Sequence, residues 1–96
     1  MKPEEMLAEK IRAIFWRSKA RDVYDLRFLL RKNVPIELDL INKKLTYYKM
    51  EFSIKDLKGR LEDTRRGWEN DLKQIVTFVP EFDKTIKEIL ENFKSA

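Results

Sequence analysis

The sequence predicts an all-α domain, and three observations lead there. Apolar residues recur at helical spacing in every segment between breaks, no stretch alternates with period two over a useful length, and the three prolines and two glycines fall at few, separated places. Ninety-six residues organise one hydrophobic core and therefore one domain, residues 1–96. About five helices are expected: a helical hairpin followed by a bundle with one long helix.

The first helix is placed from about Pro3 to Arg17, with Leu7, Ile11, Ile14 and Phe15 on its inner face. Pro3 suits a first turn, and Glu4 and Glu5 suit the positive end of the helix dipole. Ser18 and Lys19 form a short break. The second helix covers about Ala20 to Lys32, striped by Val23, Leu26, Leu29 and Leu30, and ends before Pro35 because a residue preceding proline resists helical geometry. The third, about Glu37 to Tyr48, sets Leu38, Ile41, Leu45 and Tyr48 on one side. The fourth starts at Ser53, which has capping-box spacing to Asp56, and is expected to be the longest, with Leu57, Leu61, Trp68, Leu72 and Ile75 inward. Pro80 ends it. A fifth carries Phe82, Ile86, Ile89, Leu90 and Phe93.

Composition excludes several functions. The chain has no Cys and no His, which removes disulfides, thiol nucleophiles, the usual zinc sites and a histidine base. The longest apolar run is Ala13–Trp16, too short for a membrane span, and the N-terminus lacks an apolar signal region, so a cytoplasmic address is expected. Abundant Lys and Glu with a single Gln fit a thermophile. Residues 1–35 carry nine Lys/Arg against five Asp/Glu, whereas residues 36–96 carry twelve of each, so the whole net charge of +4 lies in the first third. A local excess of this kind attracts phosphates, of a nucleotide or of nucleic acid, and it also describes a solvated helix face.

The chemistry lies in the first two helices. At 100° per residue, Lys10 and Arg17 fall within about 20° of each other on one border of the buried face. Asp22 and Asp25 stand one turn apart at the edge of the second stripe. A carboxylate there cannot stay ionised cheaply without a partner, and helices joined by a short turn pack antiparallel. Lys10, Arg17 and Arg21 are the natural partners. Two readings follow: a salt-bridge lock for the hairpin, or a site where Lys10 and the arginines meet a triphosphate while an aspartate orients them. Trp16, Trp68, Tyr47 and Tyr48 could stack on bases, although packing is the commoner role of such residues on amphipathic helices.

The run EKIRAIFWRSKARDVYDLRFLL resembles the AbiEii/AbiGii nucleotidyltransferase toxin family, in which a Lys-bearing helix is followed closely by an Arg-Asp-x-x-Asp helix. The similarity is dense from about Pro3 to Leu30 and continues through Leu40–Leu45 and Trp68–Phe82. The resemblance implies a polymerase-β-like enzyme. Its N-terminal α/β domain supplies a Gly-Ser phosphate loop and paired acidic metal ligands, and its C-terminal helical part supplies a later lysine and aspartate. Those match Lys10 and one of Asp22 or Asp25 as catalytic residues, with Lys10, Arg12, Arg17 and Arg21 as nucleotide-binding ones. It further implies transfer of nucleotides, in some members onto the 3′ ends of transfer RNA, and restraint by a paired antitoxin.

This sequence departs from that pattern: it contains only Gly59 and Gly67, and no Gly-Ser loop followed by Asp-x-Asp. The expectation is a chain without the catalytic α/β domain, resembling the C-terminal half of the enzyme. It holds no metal or cofactor by itself, and it is inactive alone. Completed by a separate catalytic domain, it would work with Mg2+ and a nucleoside triphosphate. The alternative is a non-enzymatic helical interaction module that binds a protein partner or RNA, and either reading is compatible with an oligomer.

Overall fold

A computed structural model describes residues 2–94 and is helical throughout, with no strand among those residues. The elements are α1 (Pro3–Arg17), α2 (Ala20–Arg31), α3 (Leu38–Tyr47), α4 (Ile54–Glu62), α5 (Trp68–Leu72) and α6 (Phe82–Lys94). α1 packs on α2, α3 and α4, while α6 closes the other side against α2 and α4. The core holds Leu7, Ile11 and Ile14 from α1, Val23 and Leu26 from α2, and Ile89 from α6.

The helix ends follow from local chemistry. α1 begins with Pro3 in its first turn and stops at Ser18, whose backbone is left-handed (φ 46°) and whose N–H and hydroxyl both donate to the Ile14 carbonyl. α2 ends at Arg31, one residue before the predicted Lys32. Pro35 is not the direct cause. Asn33 turns left-handed (φ 61°), its N–H reaches the Leu30 carbonyl and that of Val34 reaches Leu29, a Schellman closure. α3 ends the same way, with Lys49 at φ 60° and the Met50 N–H on Leu45. Of Leu38, Ile41, Leu45 and Tyr48, which the spacing sets on one side, Ile41 and Leu45 are buried and the other two are exposed.

The predicted long helix does not exist. The Ser53 side chain caps α4 as expected, accepting from the Asp56 N–H at 3.0 Å, but the helix stops at Glu62 and residues 63–67 form turns before α5. A straight helix from Ser53 to Ile75 would run on the order of 35 Å at 1.5 Å per residue. The whole molecule extends only 34 Å along its longest axis. The chain breaks so that Trp68 and Leu72 can reach the core. Thr64 turns its hydroxyl onto the Leu61 carbonyl at 2.7 Å. The buried Trp68 donates its indole N–H to Pro80 at 2.8 Å and meets Phe82 edge-on at 5.3 Å. Ile75, expected inward, is half exposed. α6 is tied to α2 by a bidentate Arg31–Glu88 pair at 2.7 and 2.8 Å, which holds the Glu88 carboxyl below its ordinary pKa. No helix among the described residues is long and apolar enough to cross a membrane.

Candidate functional site

The α1–α2 connection is only Ser18 and Lys19, so the two helices fold back on each other and face their polar borders together. Lys10 lies between both aspartates, its Nζ 2.9 Å from Asp25 Oδ2 and 3.5 Å from Asp22 Oδ1. Arg17 takes the other side of Asp22, donating from Nε at 3.0 Å to Oδ2 and from a terminal nitrogen at 3.4 Å to Oδ1. Asp22 is 2% exposed, whereas Asp25 keeps 39% of its side chain in solvent and Lys10 keeps 30%.

The buried Asp22 carboxylate is compensated locally. Asp22 occupies the first turn of α2, where the dipole favours an anion, and two cations satisfy its carboxylate there. The Asp22 hydrogen bond and charge in turn raise the Arg17 pKa above its ordinary value. Lys10 is therefore held by two anions while 30% of its side chain stays in solvent. A compact Lys/Arg/Asp group with an open side can present cationic donors to an anion and keep an acceptor, Asp25, at its rim.

Beside Asp22 lies a cavity of about 380 Å3, lined by Arg17, Lys19, Ala20, Arg21, Asp22 and, from the other wall, Asp71, Gln74 and Ile75. Arg21 faces this cavity and makes no ion pair with Asp22 or Asp25. Asp71 and Gln74 had no sequence signal as neighbours of this group. They reach it because α5 folds back onto α2, which the expected continuous helix forbids.

Arg12 is not part of the group. It projects from the opposite border of α1, donates to Glu9 at 2.5 Å and lies over the Tyr48 ring at 5.3 Å. Trp68 is core, but Trp16 is 62% exposed and Tyr47 83%.

The donor set does not suit a divalent cation. Lys10 occupies the space between the two carboxylates, and Arg17 covers the second oxygen of Asp22. No group of three carboxylates among the described residues is arranged to hold a metal ion. A metal serving this site would need ligands from elsewhere.

No curated protein and no solved structure matches the chain. A family model does: that of the nucleotidyl transferase AbiEii toxin of the type IV toxin–antitoxin systems matches residues 1–92. The match spans the Lys10 helix, the Arg-Asp-x-x-Asp helix and nearly everything after them, so the chain belongs to the AbiEii nucleotidyltransferase toxin family.

Proposed function

We propose that this chain is the helical half of a nucleotidyltransferase and that the α1–α2 hairpin contributes to a composite nucleotide site. Lys10, Arg17 and Arg21 contact the phosphates; Asp22 orients Lys10 and Arg17, and Asp25 orients Lys10 from the open side. Arg12 has no part in this reading, because Glu9 and Tyr48 hold it on the far border of α1. A separate α/β domain brings the Gly-Ser loop and the acidic pair that binds Mg2+. The acceptor is an RNA 3′ end, and a paired antitoxin restrains the assembled enzyme in the cytoplasm.

The observation that supports this most is the position of Lys10: bridged by two aspartates yet partly open, and paired with Asp22, which lines the cavity together with Arg17, Lys19 and Arg21. A lysine serving only to neutralise a buried carboxylate would gain nothing from that opening, whereas one that meets phosphate requires it.

The test is reconstitution. The pure chain with labelled nucleoside triphosphates, Mg2+ and transfer RNA should leave the RNA unlabelled. Adding an α/β domain that carries the Gly-Ser loop and Asp-x-Asp should restore labelling. Lys10→Met should then abolish transfer without unfolding the chain. Labelling by the chain alone, or full activity of the reconstituted Lys10→Met protein, would sink the composite-site reading.

A further inference from the structure

A second surface lies on the other side of α1. Trp16 at the end of α1 meets Tyr48 at 5.1 Å, and Tyr48 meets Tyr47 at 5.2 Å, so three rings form one continuous strip across the ends of α1 and α3. Two of them are mostly in solvent, at 62% and 83% exposure. Large aromatic side chains left open side by side mark an interaction surface more often than leftover core.

The strip borders a groove of about 490 Å3 between α1 and α3. Its charged lining is Arg12, Lys43 and Lys44 against Glu5 and Glu9. Glu9 is committed, to Arg12 at 2.5 Å and to Lys44 at 3.3 Å. Burial pushes its carboxyl up, but the hydrogen bonds and charges of Arg12 and Lys44 outweigh that and hold it below its ordinary pKa. Lys43 has no ion pair among the described residues. Arg12, Lys43 and Lys44 therefore supply the cations on the groove side of the strip.

The geometry points to a platform for single-stranded nucleic acid, with bases stacked on Trp16 and Tyr47 and phosphates tracked by Arg12, Lys43 and Lys44. Every base offers a π-face, so stacking of this kind tolerates any sequence, and the cations follow the backbone. A protein partner would use the same ring types, but protein interfaces are depleted in Lys and Glu, and Lys43, Lys44, Glu5 and Glu9 surround these rings. Leu40 is the only aliphatic side chain in the groove lining. The platform does not depend on the Lys10 group, which faces the opposite border of α1.

The two tryptophans make the test direct. Trp68 is 3% exposed and hydrogen-bonded, so quenching by a ligand reports Trp16. The probe is a labelled oligouridylate of about ten nucleotides, within the range one small domain covers. It should quench tryptophan emission and bind by anisotropy, with affinity that falls as salt rises. Trp16→Ala and Tyr47→Ala should each weaken binding by about 5- to 150-fold. Both residues are exposed, so circular dichroism should show the fold intact. Phe78→Ala, an equally exposed ring outside the groove, should bind like the parent protein, and so should Lys10→Met, which by contrast abolishes transfer if the composite site is right. The platform is overturned by absence of binding at low salt, or by equal losses in Phe78→Ala. It is equally overturned if Arg17→Gln with Arg21→Gln removes binding while both aromatic variants retain it. If the aromatic variants instead convert an oligomer to monomer and no RNA binds, the strip is a protein interface and the assignment fails.

Discussion

Asp22 and Asp25 carry the same group three residues apart, yet their surroundings give them different work. Asp22 is buried, accepts from Arg17 and pairs with Lys10; Asp25 pairs with Lys10 and stays wet. Hydrogen bonds to charged groups contribute roughly 1.5–3 kcal/mol, whereas exposed ion pairs are worth at most about 1 kcal/mol. Asp22→Asn should therefore lower the melting temperature by roughly 10 °C, at about 4–8 °C per kcal/mol for a domain of this size. Asp25→Asn should shift it by only a few degrees and act on nucleotide binding instead. Parallel thermal melts decide this, and equal losses would mean that both aspartates are structural. The sequence was sufficient to bring these side chains together, because Lys10, Arg17, Asp22 and Asp25 lie on two adjacent helices with a two-residue connection. It could not say which aspartate would be buried. That depends on α5 covering the start of α2, a contact made from the far part of the chain.

At the scale of the element, helix ends account for most differences between expectation and structure. Glycine is the usual left-handed terminator, yet this chain closes α1, α2 and α3 with Ser18, Asn33 and Lys49. No glycine marks those ends, so their boundaries had to be read from prolines and from the loss of apolar spacing. Of the three, Lys49 has neither the backbone-directed hydroxyl of Ser18 nor the tolerance of Asn for this conformation. Lys49→Gly should stabilise the domain by about 0.5–1 kcal/mol, which urea denaturation with an unchanged m-value would register. A loss of stability would show that the lysine side chain makes a contribution larger than its backbone strain. The α4–α5 break was hidden for a different reason. Gly59 and Gly67 lower helix propensity only modestly, and Leu57, Leu61, Trp68 and Leu72 keep heptad-like steps on either side of the polar run 62–67. What accompanies the break is the seating of Trp68 in the core with its indole N–H on the Pro80 carbonyl, which is not a local property.

For the molecule as a whole, the two sides of α1 divide the labour: the ionic group toward α2 and the aromatic strip toward α3. The fold class was legible because every segment had helical spacing, and the family because its characteristic residues lie in one uninterrupted run. The aromatic strip was not, since Trp16 and Tyr48 are 32 positions apart and nothing in either segment states that they meet. The same contrast between near and far contacts governs the order in which the chain assembles. Arg17 and Asp22, five positions apart, span the α1–α2 turn, so that hairpin closes the smallest loop in the structure at little entropic cost. Arg31 and Glu88 are 57 positions apart, and α6 can dock only after that much chain has been ordered. The hairpin therefore belongs to the folding nucleus and α6 to the final step. Val23→Ala should slow refolding, with a φ-value of about 0.5–0.8, while Ile89→Val should leave refolding nearly unchanged and hasten unfolding, with φ near 0–0.3. Chevron plots of the two variants measure both limbs, and a reversal of the two values would place the nucleus at the α6 seam instead.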